Sequence, residues 1–95
     1  MRSITGEEAR RLKGPMPTIL RLYGYRFFFY SLENGEPPHV HVEAGSRTAK
    51  YWLNPVELSR SHGFRSQELT RLRAIVIENR SNFEEAWRDH FGRSA

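Results

Sequence analysis

The chain has 95 residues, 15 of them Lys or Arg against 11 Asp or Glu, a formal charge of +4 and no cysteine. A chain this short supports one domain with one modest core, and the lack of thiols excludes disulfides, thiolate catalysis and Cys-ligated zinc or iron–sulfur centres, in keeping with a reducing, cytoplasmic setting. Thirteen of the basic residues are arginine, the forked cation suited to phosphate and carboxylate, while no apolar run is longer than that at 27–30, far too short for a membrane span, and the charged first fourteen residues lack a signal-peptide core.

Residues 1–14 read as a short helix, with Thr5 as cap, Glu8 completing a T-x-x-E box and Gly14-Pro15 as the stop. Arg10, Arg11 and Lys13 leave it little apolar surface. Residues 1–15 are therefore expected to be an extension of a single compact domain at 16–95, and deleting 1–14 is expected to leave the melting temperature nearly unchanged.

From residue 18 to 53 the pattern is that of strands. Residues 18–23 (TILRLY) and 26–31 (RFFFYS) flank Gly24-Tyr25 as a first hairpin rich in β-branched and aromatic residues. After turn chemistry at 33–36, residues 39–43 and 47–53 form a second hairpin, entered through Pro37-Pro38. A two-residue II′ turn at Gly45-Ser46 sets His39 opposite Trp52, Val40 opposite Tyr51, His41 opposite Lys50 and Val42 opposite Ala49. That register gathers Val40, Val42, Ala49, Tyr51 and Leu53 on one face and His39, His41, Glu43, Thr48, Lys50 and Trp52 on the other. A three-residue loop mixes the two sets.

Asn54-Pro55-Val56-Glu57 predicts a short helix with Asn as cap and Pro in the first position, closed by Gly63 after His62. Ser66 is expected to cap the next helix, whose apolar stripe is Leu69, Leu72, Ile75 and Val76, and Ser81-Asn82-Phe83-Glu84 to open a terminal helix or kinked continuation presenting Phe83, Ala86, Trp87 and Phe91. Strands followed by helices predict an α+β fold: an antiparallel sheet of about four strands, in two hairpins, with two to three C-terminal helices on one face.

The chemistry concentrates on the polar face. His39 and His41, two apart on a strand, point the same way, and Lys50 sits opposite His41. Imidazole titrates near neutral pH and cations such as Lys50, Arg21, Arg26 or Arg47 stabilise a pentacovalent phosphorane, so these residue types suit metal-free phosphodiester cleavage. As members of a solvated face, both histidines are expected to be replaceable by alanine within about 0.5 kcal/mol of stability. A metal site needs a third firm ligand, for which His62, His90 or a distant carboxylate are the candidates, and no ligand set or cofactor is assigned. His62 reads as a helix-end residue and His90 as a packing histidine beside Phe83 and Trp87. Most aromatics belong to the core, but Trp52 lies on the polar face, where it offers a base-stacking surface.

Read together, M-P-T-I-L-R (16–21), F-F-F-Y-S (27–31), E-P-P-H-V-H-V (36–42), A-K-Y-W-L-N-P-V-E-L (49–58), G-F (63–64), E-L (68–69) and E-A-W (85–87) resemble the bacterial domain-of-unknown-function 4160 family over about residues 16–91. His39, His41, Lys50, Trp52, Asn54 and Pro55 match its pattern. The resemblance implies a small protein often encoded beside one of the domain-of-unknown-function 2442 family, an arrangement that looks like a toxin–antitoxin pair or a two-component complex. The expected function is an RNA- or ribosome-directed component of such a module. Two alternatives stand beside it, a noncatalytic module docking a small partner protein through an edge strand or aromatic face, and a His-based metal-binding domain. Residue types alone leave open whether the chain is an enzyme and what its oligomeric state is.

Overall fold

Three two-residue turns fold the central part of the chain back and forth into a sheet. The computed structural model describes residues 18–30 and 35–92; the expected N-terminal helix and part of the 33–36 turn lie outside them. The strands are β1 (Leu20–Leu22), β2 (Tyr25–Phe28), β3 (His39–Ala44), β4 (Arg47–Leu53) and β5 (Val56–His62), followed by helices α1 (Ser66–Glu78) and α2 (Arg80–Phe91). The sheet is antiparallel throughout and runs in chain order from β1 to β5. The α+β architecture is as expected, with five strands in place of about four.

The first turn is Tyr23-Gly24, one residue earlier than expected, with Leu22 paired to Tyr25. Both turn residues take positive φ, 53° and 84°, as a hairpin turn matched to strand twist requires. The shift places Tyr25 in the strand, where its ring is buried edge-on against Phe64. Between β3 and β4 the pairing is that of the alternation argument, from His39 opposite Trp52 to Ala44 opposite Arg47, with Gly45 at φ 63° in the turn.

Residues 54–62 are not a helix. Asn54-Pro55, joined by a cis peptide bond, form the third turn, and Val56–His62 pairs along β4 as the fifth strand. An Asn-Pro pair serves a turn as well as a helix start, and this segment's only large apolar residues, Val56 and Leu58, are too few for a helical stripe. The unpaired backbone edge of β4 decides the matter, since those N–H and C=O groups need partners. Gly63, at φ 87°, then turns the chain away from the sheet. A β-carbon there would stand 2.8 Å from Arg47 Cγ, so the position is closed to side chains on both conformational and steric grounds.

Neither helix uses its expected cap. Arg65 and Asn79 hold the N-cap positions without side-chain cap bonds, and Ser66 is already helical. α2 follows α1 directly across Asn79, whose backbone N–H and side-chain amide both donate to the Ile75 carbonyl at 3.0 and 2.9 Å. The two helices are thus a kinked continuation. Leu72, Ile75 and Val76 of α1 and Phe83 and Trp87 of α2 are buried against Phe27, Phe29, Val40, Val42, Ala49, Tyr51 and Leu53 of the sheet side. Phe27 stacks on Phe83 at 5.4 Å and Phe29 meets Trp87 edge-on at 5.2 Å; each such ring is worth roughly 1.5–3 kcal/mol of burial.

Tyr51 is the polar tie in this layer, its hydroxyl donating to the Leu69 carbonyl at 2.7 Å. Burial raises its pKa to about 12, against the opposing pull of Arg73. Tyr51→Phe is expected to cost roughly 1 kcal/mol, a melting temperature lower by about 4–8 °C for a domain this size. The neutral phenol is the form the fold favours, so its contribution is fully present below the ordinary value of 10 and is lost as pH rises towards 12. Thermal melts at pH 7 and pH 11 should accordingly show the parent's advantage shrinking at the higher pH.

Candidate functional site

Partners across an antiparallel ladder share a face, so the register arranges the side of the sheet opposite the helices in rows. One row is Arg21, Arg26, Glu43, Thr48 and His62; the next is Phe28, His41, Lys50 and Arg60; the third is His39, Trp52 and Glu57. On β5 the pairing jumps from Arg60 opposite Lys50 to Leu58 opposite Tyr51. The extra residue, Ser59, is a bulge that keeps Arg60 and Glu57, three apart in sequence, on the same face.

The expected trio is brought together. His41 is paired with Lys50, and the rings of His39 and His41 lie 5.1 Å apart. The face is not, however, solvated at these positions: His39 is 0% exposed, His41 6% and Lys50 4%. Aromatic rings supply the cover. His41 lies against Phe28 at 5.5 Å and Tyr30 at 4.6 Å, while His39 meets Trp52 at 5.5 Å and Trp87 of α2 at 4.8 Å. Replacing both histidines therefore empties packed volume, and the expectation of a change within about 0.5 kcal/mol does not hold for side chains this deep.

Charge inside this aromatic setting is compensated. Lys50 Nζ donates to Glu36 Oε1 at 2.6 Å and sits 4.5 Å over the Trp52 ring. Glu36 Oε1 is also 3.7 Å from His39 Nδ1, which donates to the Pro37 carbonyl at 3.0 Å. Since a carbonyl can only accept, that nitrogen carries a proton. Glu36 is thus the residue that makes a buried ammonium tolerable, and its only signal in the sequence was its place at the head of E-P-P-H-V-H-V.

Beside this group lies a cavity of about 210 Å³, lined by Tyr30, His41, Thr48, Lys50, Arg60 and His62 among others. Arg60 and His62 are exposed; with residues 54–62 expected as a helix, Arg60 was not among the expected site residues and His62 stood only as a candidate third metal ligand. Two imidazoles and two cations from three strands thus surround one concavity. Arg26 is not among its lining residues and is engaged elsewhere, donating to Glu43 Oε1 and to Thr18 Oγ1, each at 2.6 Å, and stacking over Phe28. Arg21 is exposed opposite it on the edge strand. His90 is exposed on α2, edge-on to Phe29 at 6.1 Å rather than packed beside Phe83. Among the described residues no three His, Asp or Glu side chains converge as a metal would require.

Arg47 stands apart from the others. It occupies the helix side, where Nη1 donates to Glu68 Oε2 at 2.7 Å, Nε to the Ala44 carbonyl at 3.2 Å, and the guanidinium covers Phe64. For Glu68, partial desolvation works to raise the pKa, but hydrogen bonds from Arg47, the Arg65 backbone and Tyr25, with the Arg47 charge, prevail and hold it below its ordinary value of 4.5. A lowered carboxylate adds stability above 4.5 that is lost as pH falls through the folded-state value. Glu68→Gln should melt below the parent at pH 7, with the gap closing near pH 3. At the site itself, Glu36→Gln leaves buried Lys50 without a carboxylate; because Glu36 is 43% exposed, the expected loss is about 1–2 kcal/mol rather than that of a fully buried pair, measurable by urea denaturation.

The family model described as "Domain of unknown function (DUF4160)" matches residues 24–88, which hold every residue of the cavity, and the chain belongs to that family. No curated protein and no solved structure matches it.

Proposed function

We propose that this member of the DUF4160 family is a small cytoplasmic bacterial protein that acts on RNA, free or ribosomal, as one component of a two-gene, toxin–antitoxin-like module. The observation that carries this reading is the convergence of His41, Lys50, Arg60 and His62 on one cavity of the open sheet face. Lys50 is held in place by Glu36 as a point charge, and exposed Arg60 adds a forked cation; together they suit a phosphate. The Tyr30 ring at the rim gives a stacking surface for an unpaired base. Imidazoles beside cations are also the groups that metal-free cleavage uses, one taking the 2′-hydroxyl proton and one protonating the departing 5′-oxygen. Trp52, half-buried under Lys50, serves the lysine first and RNA only at its outer edge.

A second reading rests on a different feature. β5 ends the sheet, and its residues from Glu57 to His62 are all exposed, so its outer backbone edge is able to accept a strand from a small partner protein.

Fluorescence anisotropy with a single-stranded RNA, titrated over a range of salt, separates the two. Arg60→Ala and His62→Ala, both at exposed positions, should leave the fold intact, weaken RNA binding and, for Arg60, reduce the salt slope by about 0.7 for one lost phosphate contact. Binding that is absent, or indifferent to both changes, would falsify the RNA reading. A stoichiometric complex with the product of the neighbouring gene, formed without RNA and blocked by proline in β5, would establish the second.

A further inference from the structure

The helix layer carries a feature unrelated to the cavity. Among the described residues the exposed large apolar side chains are Tyr23, Leu58 and Ile77, and two of these three meet in one groove. That groove, of about 530 Å³, is lined by Tyr23, Arg71, Ala74, Ile75, Ile77 and Glu78. A lone surface isoleucine is ordinary. Here Ile77, 47% exposed, lies beside a tyrosine that is 76% exposed and is presented by the β1–β2 turn.

The charges bordering the groove point to its occupant. Arg71 and Glu78 are seven residues apart, so they share a face of α1 but stand about 10.5 Å apart along its axis. They are too distant to pair with each other, and among the described residues neither has an ion-pair partner. Midway between them lie Ala74 and Ile75. A two-fold axis through that point, setting α1 antiparallel to α1 of a second copy, places Arg71 against the partner copy's Glu78 and Glu78 against its Arg71. The small Ala74 side chain at the crossing allows the close approach of two helices, and the Arg71 stem covers the facing Ile77.

We infer that the chain forms an isologous homodimer through the exposed face of α1, with Ile77 and Tyr23 as its apolar centre and two reciprocal Arg71–Glu78 ion pairs fixing its antiparallel sense. The inference does not depend on the RNA reading, because the groove is on the helix side and the cavity on the opposite sheet face.

Size-exclusion chromatography with light scattering tests it on the full chain at about 100 µM, well above a dissociation constant of about 10 µM. The parent should have about twice the monomer mass of 11.2 kDa. Ile77→Asp should be monomeric, with circular dichroism confirming its fold. Arg71→Glu and Glu78→Arg should each be monomeric alone, since like charges then face each other. The double variant should dimerise again, and a mixture of the two single variants should give a heterodimer in which both pairs are restored. A monomeric parent overturns the proposal. So does a dimer that survives Ile77→Asp, or single reversals whose mixture fails to associate.

Discussion

Six residue pairs between β3 and β4 set the direction of nearly every side chain that matters here. Alternation has a period of two, so a slip of one residue would turn one strand over against the other, sending either Val40 and Val42 or Ala49, Tyr51 and Leu53 outward and bringing that strand's polar residues to the core face. The apolar set is fully used: it forms the floor on which α1 and α2 pack. The polar set is constrained by the same pairs, so the position of His41 beside Lys50 is a by-product of the arrangement that seats the core. Stability and site geometry share one cause.

The back face resolves a conflict that this arrangement creates. Three ionisable groups sit in a largely aromatic setting, where an unpaired charge or an unmet hydrogen bond is costly. Glu36 accepts from Lys50, Trp52 offers its ring to the same ammonium, and the Pro37 carbonyl fixes His39. Among the described residues no buried side-chain nitrogen or oxygen lacks a partner. The outcome is a cavity with a rigid side, His41 and Lys50, and a solvent-facing side, Arg60 and His62. Groups held before a ligand arrives lose little freedom on binding it, and exposed ones supply adaptable contacts at the rim.

The same sheet separates two surfaces. Helices cover one face, and their outward side bears the apolar groove beside α1. The cavity opens on the other. Contacts made through the groove leave the cavity accessible.

Much of this is written locally. Period-two alternation in residues 39–53 determined the hairpin register and the division between a valine face and a histidine face, because each strand residue's direction follows from its parity alone. The helical stripes of Leu72, Ile75, Val76, Phe83 and Trp87 were legible by the same logic at a period of 3.6. Tertiary structure decided what local signals left ambiguous. Asn54-Pro55 begins a helix or a turn equally well, and only the open edge of β4 made residues 56–62 a strand, which is why Arg60 escaped notice and His62 read as a helix-end residue. A facing direction is also not an exposure: that His39, His41 and Lys50 look away from the helices followed from the sequence, but their burial required Phe28, Tyr30, Trp52 and Trp87 to come together from β2, its continuation, β4 and α2. Arg47 met Glu68 across 21 residues of chain for the same reason. Neighbours distant in sequence are chosen by packing, which no local pattern encodes.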